Sequence, residues 1–345
     1  MTWTGRFAAL VATAMTLSLS ACASVHPTAS GLVDRTTPGD DVLRMVYLGN
    51  GGWIMQHGTD MVLTGPLFTN PGIFRAGLGP IRSDATLVDR YMSRYDVSAA
   101  EAILVGHGHY DHLLDVPRTA TAHAPRAIIV GSRTVKNLLG TWSGLEQRID
   151  LVEPWAGDES QPGQWMYYGG ARVMPLRSHH GPHYVGYTLF QGTVEAPFTE
   201  EPQWARDWVD GESYAFLIDF MTPQGTIAFR VYYQDAVAEP PYGLAPEAVI
   251  AEHPVDAAVI VPSTFEEVDW QPEALIDNLE PRRVLLGHWE DFFIPVSEPM
   301  RPSPPTDHAE FEKRLKRVFD GDWWRPERWT EFRFGPVSDG VRQAG

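Results

Sequence analysis

Four side chains of types that bind metal ions lie within six consecutive residues, His107-Gly108-His109-Tyr110-Asp111-His112. Neutral imidazoles and carboxylates are good zinc ligands. His107 and His109 are two positions apart, so in an extended chain their side chains point to the same side. The adjacent Asp111 and His112 diverge and can serve a second metal ion nearby. Burying these four groups would be costly unless something satisfies them. The segment therefore predicts a metal centre rather than a polar loop with fortuitous histidines.

Short apolar runs alternate with helical patterns on both sides of this segment. A buried-type strand over 102–105 leads directly into the histidines, and later strands also end just before ligand-type residues. Two strand-rich halves with interspersed helices favour an α/β (α+β) fold in which sheet packs on sheet with helices outside. The predicted strands are 43–49, 53–57, 61–64, 102–105, 127–130, 172–175, 184–190, 214–220, 226–233, 257–261 and 283–286, and the predicted helices are 85–94, 134–139 and 272–279.

The pattern His107-x-His109-x-Asp111-His112 resembles the signature of the metallo-β-lactamase superfamily. The resemblance extends over about Leu43 to Phe293 and implies a four-layer αββα sandwich with a dinuclear metal site in the cleft between its halves. The form Gly-His-Tyr-Asp-His-Leu looks closest to the branch that contains L-ascorbate-6-phosphate lactonase and N-acyl-phosphatidylethanolamine phospholipase D.

The family has three further metal ligands, and each has a counterpart here just after a predicted strand. The next histidine ligand corresponds to His179 or to the adjacent His180, of which we favour His179. Asp235 corresponds to the carboxylate that bridges the two metal ions, although Gln234 stands where the family usually has glycine. His288 corresponds to the last histidine ligand.

The resemblance implies a hydrolase with two divalent metal ions, by preference zinc. Two such ions, roughly 3.5 to 4 Å apart, would lower the pKa of a shared water molecule from about 15.7 to near 7. The hydroxide that forms would attack a carbonyl or phosphoryl centre. Asp111 is expected to be essential for turnover, and His183 is a candidate for a substrate-facing or proton-donating role, with an ordinary surface histidine as the alternative. His107, His109 and His179 would bind one ion, Asp111, His112 and His288 the other, and Asp235 would bridge them.

Three details of the sequence qualify the resemblance. The family often has an Asp-Pro pair at the end of the third strand, and this chain has Gly65-Pro66. That aspartate supports the metal-binding loop, so another group is expected to replace it or the site is looser. Gly106 replaces the serine or threonine common before the first histidine. His109, where the oxygen-reducing relatives carry a glutamate, favours zinc hydrolysis over di-iron chemistry.

The N-terminus has the features of a bacterial export signal. Arg6 precedes an apolar run that is too short for a confident membrane-spanning helix, and Leu19-Ser20-Ala21-Cys22 resembles a lipobox. Cys22, the only cysteine, is therefore the expected lipidation site, with an ordinary secretory signal as the alternative. We predict a signal peptide over 1–21, a flexible tether over 22–41, a hydrolase domain over 42–300 and a C-terminal extension over 301–345 packed on that domain.

The net charge of the chain limits the classes of molecule that it is expected to bind. The chain of 345 residues carries 27 basic and 44 acidic side chains, a net charge of −17, which disfavours nucleic acid because phosphate backbones would be repelled.

The first hypothesis is a hydrolase of phosphodiesters or related esters, lipid-derived ones among them, anchored in the cell envelope and facing the periplasm or the exterior. A lactonase or β-lactamase-like hydrolase is the alternative within the same class, and a non-catalytic envelope lipoprotein is the alternative outside it.

Overall fold

Neighbouring residues of strand β3 (Leu43–Gly49) contribute to two different cores. Met45 and Tyr47 pack in the core between the two sheets, whereas Val46 and Leu48 pack in a second core beneath helices. Successive side chains of a strand point to opposite faces of the sheet. A strand that is apolar at nearly every position must therefore be covered on both faces, and this requirement produces a layered fold.

The computed structural model describes residues 28–39, 41–158, 160–183, 185–304 and 306–336. In these ranges the strands form two eight-stranded sheets, named sheet I and sheet II. In spatial order, sheet I contains β1 (Thr28–Ala29), β15 (Asp322–Pro326), β14 (Arg283–Leu286), β13 (Ala257–Ile260), β12 (Ile227–Tyr233), β11 (Ser213–Met221), β10 (Ala171–Ser178) and β9 (Met166–Tyr168). Sheet II contains β2 (Leu32–Arg35), β16 (Glu331–Phe334), β3, β4 (Gly52–His57), β5 (Asp60–Thr64), β6 (Ala102–Leu104), β7 (Ile128–Gly131) and β8 (Ile149–Leu151).

Helices cover the outer faces of both sheets. The longer helix against sheet II begins after Asp84, whose carboxylate accepts hydrogen bonds from the N–H groups of Thr86 and Leu87, and it buries Val88 and Met92. This completes the expected four-layer αββα sandwich. No helix within the described residues is both long enough and apolar enough to cross a membrane. The helices are α1 (Ile73–Leu78), α2 (Ala85–Met92), α3 (Tyr110–Leu113), α4 (Val116–Arg118), α5 (Arg133–Leu138), α6 (Glu247–Glu252), α7 (Glu273–Leu279) and α8 (His308–Val318).

Parallel strands bring distant parts of the sequence to one edge of the sandwich. In sheet I, β12, β13 and β14 are parallel and in register, so that Tyr233 pairs with Val259 and Ile260 pairs with Leu286. In sheet II, β5, β6 and β7 are also parallel. Because carboxyl ends of parallel strands meet at the same edge, the segments after β12, β14 and β6 can converge.

The first and last described segments of the chain are part of the sheets, which corrects two predicted boundaries. Residues 28–29 and 32–35, predicted as tether, form β1 and β2, while 22–27 and 40 lie outside the described residues. The segment predicted as a packed extension supplies β15, between β1 and β14, and β16, between β2 and β3. Polar composition suggested a linker, but backbone hydrogen bonds to a partner almost 300 residues away make these residues strands.

Most of the predicted strands and helices are confirmed to within a few residues, including β14 over 283–286. The strand predicted over 184–190 is wrong: its described part, 185–190, is a loop. Val185 and Gly186 turn the chain with φ of 47° and 78°, and their N–H groups donate to the carboxylate of Glu267. These side-chain hydrogen bonds satisfy the backbone locally and replace the pairing that a strand would need.

Candidate metal centre

The histidine segment connects β6 to the short helix α3. His109 has extended backbone geometry and immediately precedes α3, so His107 and His109 lie on extended chain whereas Asp111 and His112 lie in a helical turn. The N–H of Gly108 donates to the carbonyl of Asp210 at 2.8 Å and fixes the extended part. The four ligand-type side chains are buried.

The fold brings six of the seven predicted ligands together with one further histidine. Within each of three overlapping groups, the potential ligand atoms lie within 4.8 Å of one another. Two of the groups correspond to the predicted ligand sets of the two metal ions, with one histidine exchanged. The groups are His107, His109 and His180; His107, His112 and Asp235; and Asp111, His112 and His288.

His180, and not the predicted His179, lies with His107 and His109, which corrects the choice between the two adjacent histidines. The ring centroid of His180 lies 4.8 Å from those of His107 and His109, whereas His179 is exposed and its ring lies 5.6 Å from that of Tyr242. Sequence reasoning had no local signal that separates the two histidines, because both odd- and even-numbered residues of β10 are buried.

Asp235 lies between the two groups of histidines, as a bridging carboxylate would. Its Oδ2 is 2.7 Å from Nδ1 of His107, and its Oδ1 is 3.0 Å from Nδ1 of His112. The hydroxyl of Tyr233 donates to Oδ1 at 2.6 Å. A Cβ at Gly106 would overlap the Asp235 carboxylate, so the glycine found in place of serine or threonine makes room for this close approach.

Asn50 lies in the turn between β3 and β4 and supports the ligand loop by hydrogen bonds. Its Nδ2 donates to the carbonyl of Asp111 at 2.5 Å, and its N–H donates to the buried carboxylate of Glu290 at 2.7 Å. A Cβ at Gly65 would overlap the carbonyl oxygen of His112, so the family's aspartate would not fit there. Neither Asn50 nor Glu290 was among the site residues predicted from the sequence.

The electrostatics of the cluster suit metal binding. Burial and the neighbouring His107 hold the pKa of His109 well below its usual value, and burial with the same neighbour lowers the pKa of His180. Both rings are therefore neutral near pH 7, the form that binds metals. Against the effect of burial, Asp235 and Asp111 raise the pKa of His112 to about 10, so metal binding would release its proton.

One buried candidate ligand atom has no partner among the described residues. Nε2 of His109 has no hydrogen-bond partner among the described residues although it is shielded from solvent. An unpaired buried polar atom is costly. With the neighbouring histidines and carboxylates it forms a donor set that fits two divalent cations, so the residues present match the metal centre that the resemblance implies.

His183 lies at the open side of this cluster. Its ring stacks on that of His180 with a centroid distance of 4.5 Å, and burial lowers its pKa to about 4. Its Nδ1 accepts a hydrogen bond from the N–H of Leu189 at 3.1 Å, so the neutral ring carries its proton on Nε2. The predicted substrate-facing role of His183 is compatible with this position, and its proton-donating role stays a prediction.

A cavity of about 130 Å³ opens above the ligand cluster. Its floor consists of the metal-binding side chains with His183, and its walls are mainly apolar. Apolar walls around a few convergent polar groups are typical of small-molecule sites. The wall residues include Leu189, Phe190, Val237, Val261, Phe292, Phe293 and Pro304.

Comparison with solved structures identifies the fold. A metallo hydrolase from the hyperthermophilic archaeon Ignicoccus hospitalis aligns with a TM-score of 0.51 and 15% identity over 86% of this chain and 100% of the other. The metallo-beta-lactamase fold protein YhfI from Bacillus subtilis aligns with a TM-score of 0.50 and 12% identity over 85% and 100%. No protein-family model and no curated protein sequence matches the chain. At these identities the likeness concerns the fold, and the chain adopts the metallo-β-lactamase fold.

Proposed function

We propose that this protein is a metal-dependent hydrolase with two divalent metal ions, zinc by preference, that acts on a phosphodiester or a related ester. The observation that carries the proposal is the set of three overlapping ligand groups around Asp235. In support, Nε2 of His109, one of the candidate ligand atoms, is buried without a partner among the described residues.

The side chains divide the work of such a reaction. The bound ions would supply Lewis acidity and a water molecule of lowered pKa. Asp235 holds His107 and His112 at fixed distances, and Tyr233 fixes the orientation of its carboxylate. The Nε2–H of His183 is available to donate a hydrogen bond to a leaving group at the cleft, and the apolar walls exclude bulk water.

The test combines metal analysis with a substrate panel. We expect close to two zinc ions per chain after gentle purification, and hydrolysis of bis(4-nitrophenyl) phosphate or of a phospholipid. Activity confined to a lactone and a β-lactam would reject the phosphodiester assignment and favour the lactonase reading. Less than one metal ion per chain, without activity on any of the four, would favour the non-catalytic lipoprotein.

We also propose that Cys22 is the acylated N-terminus of the mature protein and that the protein resides in the cell envelope. The support is the lipobox-like sequence before this residue. Mass spectrometry of the protein isolated from membranes should give a chain that begins at Cys22 with added acyl mass. A mature chain that begins elsewhere and carries no acyl group would reject this proposal.

A further inference from the structure

Helix α1 exposes large apolar side chains beside the cleft. It buries none of its residues, and Phe74, Leu78 and Ile73 have 83%, 81% and 57% of their surface exposed. The chain just before α1 is fixed to the cleft wall, because Nδ2 of Asn70 donates to the carbonyl of Ile294 at 2.9 Å. We call Ile73, Phe74 and Leu78 the first rim.

A second group of exposed apolar side chains flanks the cleft on the side of His183. Val185, Tyr187 and Leu189 have 84%, 74% and 42% of their surface exposed, and they follow His183 in one short loop. The loop is held in place, since the carbonyl of Tyr187 accepts from the N–H of His183 at 2.8 Å. We call Val185, Tyr187 and Leu189 the second rim.

The Glu267 carboxylate accepts hydrogen bonds from the backbone of Val185 at 2.9 Å and of Gly186 at 2.8 Å. Val185 has a φ of 47°, which is unusual for a β-branched residue. The fold therefore holds the apolar tip of the second rim outward, in an unfavourable backbone conformation, instead of burying it. Strain that the surrounding structure maintains is a mark of functional surfaces.

Single exposed apolar residues are common on soluble proteins and need no explanation. The two rims differ from that background because each lies near the wall of the same cavity. Leu189 of the second rim lines the cavity, and Phe293, another wall residue, has its carbonyl 3.8 Å from the position of a Cβ on Gly72, next to the first rim. The second rim thus adjoins the cavity at Leu189, and the first rim follows a residue that lies beside the wall residue Phe293.

The start of the described chain is linked through Arg325 to the loop that follows β14, and other residues of that loop line the cavity. The Oγ1 of Thr28 is 3.3 Å from Arg325, whose guanidinium lies 5.1 Å from the ring centroid of Trp289, next to His288. Cys22 is six positions before Thr28, a span of at most about 20 Å when fully extended. An acyl group on Cys22 would therefore keep this loop close to the membrane, a step that rests on the lipidation proposed above.

From these observations we propose that the two rims form a docking surface for a lipid bilayer, so that the cleft opens onto the membrane. The net charge of −17 makes apolar insertion, rather than attraction to anionic lipid, the source of binding. The substrate class follows, given the proposed function: an ester with an apolar chain that enters the cleft from the lipid phase.

The test measures binding to neutral vesicles by a chain without an acyl group. The chain comprises residues 22–345 with Cys22→Ser, which retains every described element because the described fold begins at Thr28. Cosedimentation with phosphatidylcholine vesicles in 0.5 M salt should show binding, and F74D/L78D and V185D/Y187D should each reduce the partition coefficient at least fivefold. The matched control is Tyr167→Asp. Tyr167 is 70% exposed, but it pairs with Arg172 near the start of β10, whereas His180 and the second rim follow the end of β10. Its replacement should leave vesicle binding unchanged.

Several results would overturn the docking surface. One is a parent chain that does not bind neutral vesicles, and another is a rim variant that binds as well as the parent. A dimer that light scattering detects and that F74D/L78D dissociates, without any vesicle binding, would assign the rims to a second copy of the chain. Metal content is measured on the same samples, so a chain that binds two metal ions but no vesicles rejects only the docking surface.

Discussion

Two buried polar clusters in this protein differ in how completely they are satisfied. Asp219 and Arg230 face each other on β11 and β12 with no exposed side-chain surface, and the guanidinium donates to both carboxylate oxygens at 2.6 and 2.8 Å. A further guanidinium hydrogen bond goes to the carbonyl of His253 at 2.8 Å. In the metal-centre cluster, Nε2 of His109 has no partner among the described residues.

The difference distinguishes a polar cluster that stabilises the fold from a polar cluster that binds a ligand. A buried cluster whose polar groups are hydrogen-bonded to one another needs no ligand. Replacement of one of its residues is therefore expected to reduce the stability of the fold. A cluster that leaves a buried ligand atom unpaired is complete only with something bound, and its removal is expected to affect binding and turnover. The following substitutions test this distinction.

Asp111→Ala should give the largest effect, a loss of at least about a thousandfold in turnover of whichever ester is hydrolysed, because it removes a proposed ligand. Far-ultraviolet circular dichroism should be unchanged. The exposed Asp277 on α7 provides the control, since Asp277→Ala should keep activity within twofold. Retained activity in Asp111→Ala would refute the assigned ligand set.

Arg230→Met should leave the metal content of the folded chain unchanged but lower the free energy of unfolding by about 3–5 kcal/mol, because it leaves the Asp219 carboxylate without its main buried partner. Urea denaturation measures the loss. Arg333→Met removes an ion pair with a half-exposed arginine and should cost no more than about 1 kcal/mol. Equal losses in the two variants would remove the distinction between the clusters.

His180→Ala should weaken metal binding by about 10- to 100-fold, whereas His179→Ala should leave it within twofold, because only His180 lies with His107 and His109. Competition with a chromogenic chelator gives both affinities. The reverse order would show that the loop rearranges around the metal ions and would restore the sequence-based preference for His179.

Gly106→Ala should have the smallest effect, about a tenfold loss of metal affinity, because the added Cβ would displace the Asp235 carboxylate. Gly77→Ala is the control, since a Cβ at Gly77 meets nothing within 4 Å. An affinity equal to that of the control would mean that the carboxylate can shift without loss and does not need its observed position.

The strands and the contiguous ligand motif were predictable because local pattern determines them. Alternation and apolar runs predicted β3 to β7 of sheet II and β10 to β14 of sheet I, and ligand types at short spacing predicted the segment from His107 to His112. Asp235 and His288 were found through the resemblance, and parallel pairing of β12 and β14 explains why they meet.

The parts that sequence reasoning missed depend on partners far away in the chain. No local pattern shows that Thr28 and Arg325 are neighbours, or that Glu267 replaces strand pairing at Val185. The role of Glu290 was equally invisible, because its carboxylate meets Asn50 only after sheet I and sheet II have packed together. Long-range hydrogen bonds, rather than propensity, determine these elements.

The placement of β15 and β16 has a consequence for synthesis. Each is an interior strand whose neighbours include one from the N-terminal region, so neither sheet can be completed until residues 322–334 have left the ribosome. A chain that ended near residue 300 would leave β14 and β3 as bare edges, and such edges promote aggregation. Contacts of such large sequence separation also slow folding. The order of strands therefore delays completion of both sheets until β15 and β16 have been synthesised.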